Sequence, residues 1–109
     1  MKTHWKAIDN CIFCKQSFKD VYKTKEHIIP KSKIHKNNVE NYSASCIWCN
    51  DAKGCMDAKE FAKFLEIIDR SNISKYNHIR PFIKIMINNA WKLYNKTHKS
   101  HENYQKHFK

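Results

Sequence analysis

The chain has 109 residues, a mass of 13.1 kDa and a formal charge of +11, with one Gly and two Pro. That length supports one hydrophobic core and excludes a second, and so little Gly and Pro excludes a long flexible linker or a low-complexity segment. The opening Met1-Lys2-Thr3-His4-Trp5-Lys6 has no signal-like apolar run and no later stretch reaches membrane-spanning length, so the expectation is one domain over 1–109, soluble and cytoplasmic, without a membrane partner.

Residues 1–10 read as a short helix or arm, with Trp5 and Ile8 as packing candidates. Cys11-x-x-Cys14 begins a knuckle that ends near Phe18, and Tyr22 to Ile29 reads as a first strand stopped by Pro30. A second strand is expected near Asn41 to Ser45, then a helix from about Ile47 or Trp48 that carries Asn50 and Lys53 one turn apart and stops at Gly54. Asp57 with Glu60 makes a capping box for the next helix, whose Phe61, Phe64, Leu65 and Ile68 recur at helical spacing. A last helix is predicted from near Pro81 to about Asn95, and the polar run to Lys109 as its frayed or DNA-ordered extension. The apolar stripes of both helices are those of core-burying helices.

Five cysteines in a cytosolic chain favour a metal site over disulfides. Each Cys-x-x-Cys turn presents two thiolates on one side, so Cys11, Cys14, Cys46 and Cys49 can complete one tetrahedral zinc shell, with Cys55 left over. Closing that loop brings Glu26 and His27 beside Asn50. Trp48, between two of the ligands, is expected to shield the metal. The charge is uneven: residues 71–109 hold eight Lys/Arg against one acidic residue, whereas residues 1–70 hold 13 against nine. Such a surface attracts phosphates whatever the base sequence, and because 19 of the 21 basic residues are Lys, little bidentate base reading is expected.

Glu26-His27-Ile28-Ile29-Pro30, then Glu40-Asn41-Tyr42, then Cys49-Asn50-Asp51-Ala52-Lys53-Gly54, set between two cysteine pairs, resemble the motif of the HNH endonucleases. The resemblance covers about Cys11 to Gly54. Many members carry Asp where this chain has Glu26, and a Gly-Gly turn where it has Lys33 to Asn38. It implies an α+β chain: a small zinc-stapled ββα-metal core over 10–56, followed by two C-terminal α-helices in a basic extension over 57–109. It also implies His27 as general base, Glu26 and Asn50 as ligands of a catalytic Mg²⁺ or Mn²⁺, structural Zn²⁺ on the four cysteines, and Asn41 as a scaffold for the catalytic strand. Lys31, Lys33, Lys36 and Lys53 are the expected contacts to nucleic acid, and His35 lies in the inter-strand turn.

The reading is a metal-dependent endonuclease that hydrolyses phosphodiester bonds in duplex or branched DNA with low sequence specificity. RNA, oligomeric state and nicking against double cleavage stay open. The alternative is a non-catalytic, zinc-containing module that binds nucleic acid, or a protein partner through its C-terminal helices in the manner of a phage accessory factor.

Overall fold

A computed structural model describes the backbone over residues 5–27 and 42–107, and the side chains over 5–27 and 43–96. After a 3₁₀ turn at Trp5–Ala7 come β1 (Lys23–His27), β2 (Tyr42–Cys46), α1 (Ile47–Lys53), α2 (Ala58–Asp69) and α3 (Ile83–His107). The expected order of elements is the observed one, and the chain is α+β.

The two strands pair antiparallel, with Glu26 opposite Ser43 and Thr24 opposite Ser45. Directly opposed residues share a face, so Thr24, Glu26, Ser43 and Ser45 point to one side of the hairpin while Lys25, His27 and Ala44 point to the other. The first knuckle is tied to the outer edge of β2, because Ile12 N–H donates to the Ala44 carbonyl at 3.0 Å. Lys15 closes that knuckle with φ at +67°, a left-handed angle that its Cβ makes unfavourable. The turn is held by Lys15 N–H to the Cys11 carbonyl at 3.0 Å and Cys11 N–H to the Gln16 carbonyl at 2.9 Å.

β2 runs into α1 with no loop, and the Cys46 sulfur caps the helix by accepting from Cys49 N–H. Gly54 ends it with φ at +53°, where a side chain would have room but an unfavourable backbone angle. The capping box of α2 is formed in both directions: Asp57 Oδ1 accepts from Glu60 N–H at 2.8 Å, and Glu60 Oε1 from Asp57 N–H at 3.1 Å. The buried face of α2, Ala58, Phe61, Ala62, Leu65 and Ile68, packs on Ile83, Met86, Ala90 and Leu93 of α3. Both faces therefore bury core, as their periodicity implies. Phe13 from the knuckle enters the same core, its ring edge-on to Phe61 at 5.1 Å. Asn89 of α3 adds a polar stitch, donating to the Phe13 carbonyl at 2.7 Å across 76 positions of sequence.

The expected third-helix end near Asn95 is corrected. A 3₁₀ turn at Arg80–Phe82 with Pro81 in its first turn leads in, and α3 continues to His107. No helix among the described residues is long and apolar enough to cross a membrane.

Positive charge lies along this helical part, with Lys75, Lys92 and Lys96 all exposed. Since α3 supplies core residues, its removal would unfold what it covers, and charge neutralisation is the cleaner test. If these lysines meet phosphates, replacing all three by Gln should reduce the slope of log affinity for duplex DNA against log salt by about 0.9 per lost contact. Fluorescence anisotropy at several salt concentrations reads that slope, and an unchanged one reassigns this surface.

Candidate metal centre and active-site face

The two Cys-x-x-Cys segments converge. The Sγ atoms of Cys11, Cys14, Cys46 and Cys49 all lie within 4.8 Å of one another, and all four residues are buried. Cys14 and Cys46 Sγ are 3.8 Å apart, the separation expected for thiolates about 2.3 Å from a tetrahedral zinc. Backbone donors surround the cluster: Cys46 N–H points to Cys11 Sγ at 3.2 Å and Cys49 N–H to Cys46 Sγ at 3.5 Å, while the Gln16 amide donates to Cys14 Sγ at 3.4 Å. These bonds orient the sulfurs and favour their anionic form.

Four buried sulfurs this close cannot all ionise without a cation. Donation from Cys11, then from Cys46 and Cys49, drives Cys14 far below the ordinary thiol range. Proximity to Cys11 and then Cys14 holds Cys46 and Cys49 protonated far above it. Cys11, Cys14, Cys46 and Cys49 would hold a thiolate-preferring divalent ion, whose charge would offset this conflict. The donor set fits zinc. Cys55 stands outside, exposed.

On the other side of the hairpin is a second buried polar group. Glu26, 2% exposed, and Lys53, 1% exposed, form an ion pair with Lys53 Nζ 2.8 Å from Glu26 Oε1. Ser45 Oγ donates to Glu26 Oε2 at 2.8 Å, and Lys53 Nζ also donates to the His27 carbonyl at 3.1 Å. His27 is half-buried at the end of β1, and Asn50 is half-buried on α1, one turn before Lys53. The hairpin and α1 thus bring Glu26, His27, Asn50 and Lys53 into one neighbourhood.

Lys53, expected to contact nucleic acid, has its ammonium enclosed and paired with Glu26, and each oxygen of Glu26, expected to ligate the catalytic cation, has a partner among these residues. Asn41, Lys31, Lys33 and Lys36, and with them His35, lie outside the described residues. Ser45 was missed altogether; its alternation with Ser43 on β2 marks a polar inner face that only a buried charge would require.

Trp48, expected to shield the metal, lies partly on the surface. It is 48% exposed, with its ring centroid 4.8 Å from that of His78. Trp48, Asp51, Ala52, Lys75, Tyr76 and His78 line an open cleft of about 310 Å³ on the side of α1 away from Asn50 and Lys53.

The profile of one family, described as HNH endonuclease, matches residues 11–65, from the first zinc cysteine into α2. No curated protein and no solved structure matches the chain. The matched region is half of the sequence and includes the four-sulfur cluster, the hairpin and α1, and with that correspondence the chain belongs to the HNH endonuclease family.

Proposed function

We propose that this protein is an endonuclease that hydrolyses phosphodiester bonds in DNA with little sequence preference, using His27 as general base. Family membership supports a nuclease acting on nucleic acid. The observation that supports the site is the joining of β1 to α1 at His27, whose carbonyl is held by Lys53 of the helix that carries Asn50. Neutral imidazole can take a proton from the attacking water near pH 7, since the residue type titrates at about 6.5. The zinc site lies within the hairpin-to-helix corner and holds these elements in place.

Mg²⁺ or Mn²⁺ is the cofactor of this reading, and when bound such an ion stabilises charge on the phosphoryl oxygens. The Asn50 carboxamide suits a hard-oxygen shell. Glu26, enclosed and doubly engaged, does not fit it as it stands. The enclosed Glu26 also favours a second reading, a zinc-containing module that binds nucleic acid without cutting it, or a protein partner. Incubation of the zinc-loaded protein with supercoiled plasmid distinguishes the two. Relaxed circles formed with Mg²⁺ and absent in EDTA are the expected result, and intact plasmid bound by the protein would establish the second reading.

A further inference from the structure

We propose that Glu26 and Lys53 form a buried clamp that positions His27, so that Lys53 does not contact a phosphate and Glu26 does not ligate the divalent ion. Stripping water from an ammonium and a carboxylate is costly, and is sustained only where each finds a charged partner and further hydrogen bonds. Both conditions are met here. At 1% and 2% exposure the two groups meet at 2.8 Å, Ser45 Oγ fills the second carboxylate oxygen at 2.8 Å, and the ammonium reaches the His27 carbonyl at 3.1 Å. To meet a phosphate, Lys53 would have to leave Glu26 charged and buried. To meet a metal, Glu26 would have to release Lys53.

The geometry shows what the clamp does instead. Side chains alternate along β1, so Glu26 and His27 project to opposite faces of the strand, and it is Glu26 that meets Lys53 of α1. The Lys53 ammonium also ties the strand end to α1 through the backbone: it grips residue 26 by the side chain and residue 27 by the carbonyl. Those two grips fix the peptide at the strand end and hence the direction of the His27 Cα–Cβ bond relative to Asn50. A displacement of about 1 Å in a reacting group can cost about 100-fold in rate. Lys53 is accordingly a positioning residue, with no contact to the reacting atoms.

The clamp rests on the nuclease reading only for its effect on rate, and its test uses the full-length, zinc-loaded protein with four readouts. Lys53→Met alone leaves a buried carboxylate unpaired and should lower the melting temperature by roughly 10–20 °C. The double variant Glu26→Gln with Lys53→Met removes both charges together and should recover most of that loss. In the double variant the salt slope of DNA binding should match wild type, while kcat for nicking falls by about 100-fold with KM unchanged. Glu26→Gln alone should bind Mn²⁺, followed by electron paramagnetic resonance, within about threefold of wild type, because loss of a ligating carboxylate would weaken it far more. A salt slope lower by about 0.9 in the double variant would place Lys53 on a phosphate and overturn the proposal. A Mn²⁺ affinity reduced 30-fold or more in Glu26→Gln would place Glu26 on the ion and overturn it equally. If the double variant does not fold, the Mn²⁺ measurement on Glu26→Gln decides. If wild type cuts no DNA, the nuclease reading fails while melting, slope and Mn²⁺ affinity still judge the clamp.

Discussion

Cys46→Ala should unfold the protein. Its sulfur is 3.8 Å from that of Cys14, it caps α1 by accepting from Cys49 N–H, and its own N–H donates to Cys11 Sγ. Its loss would remove a metal ligand and a helix cap together. A structural zinc contributes on the order of 10 kcal/mol to folding in small domains, comparable with the whole stability of a chain this size. Capping losses add about 1 kcal/mol. Circular dichroism should show loss of helix, and metal analysis loss of stoichiometric zinc. A folded, metal-free Cys46→Ala protein would remove zinc from the account. Zinc affinity should also fall as pH is lowered, because Cys46 and Cys49, already held protonated by neighbouring sulfurs, must release protons to bind.

His27→Ala should leave DNA binding nearly intact and slow nicking by about 100-fold to 10,000-fold, the usual cost of losing a general base. Folding should survive, since the half-buried imidazole is no part of the apolar core and the carbonyl that Lys53 grips belongs to the backbone. For wild type, only neutral imidazole accepts a proton, so the rate should climb as pH rises through the histidine range and then level off. Single-turnover nicking by both proteins from pH 5.5 to 8.5 checks each statement. Equal rates at every pH would remove His27 from the reaction and favour the non-catalytic reading.

The zinc cluster was legible because two Cys-x-x-Cys turns constrain thiolates over a few residues, where spacing and geometry are nearly equivalent. The capping box and the buried stripe of α2 were legible for the same reason: both are local patterns. The length of α3 was not, because beyond Asn95 the sequence loses the apolar periodicity that marks a buried face. The fate of Lys53 was hidden differently. Its spacing from Asn50 places it on a known side of α1, but periodicity names a face and never the partner opposite. The pairing with Glu26, 27 positions earlier, depends on how β1 lies against the helix. Trp48 illustrates the same limit, since neighbouring two metal ligands in sequence did not enclose it.

The stitch from Asn89 to the Phe13 carbonyl has a bearing on assembly during translation. All four sulfurs of the cluster precede α2 in the sequence, so metal can be captured before α2 and α3 have packed together. The knuckle carbonyl, however, gains this partner only after α3 has been added. Until then Phe13 also lacks the α2–α3 core that covers it. A nascent chain released early would therefore be a loaded zinc hairpin with an aromatic surface uncovered, a species prone to association. Completion of α3 turns metal capture into a finished fold.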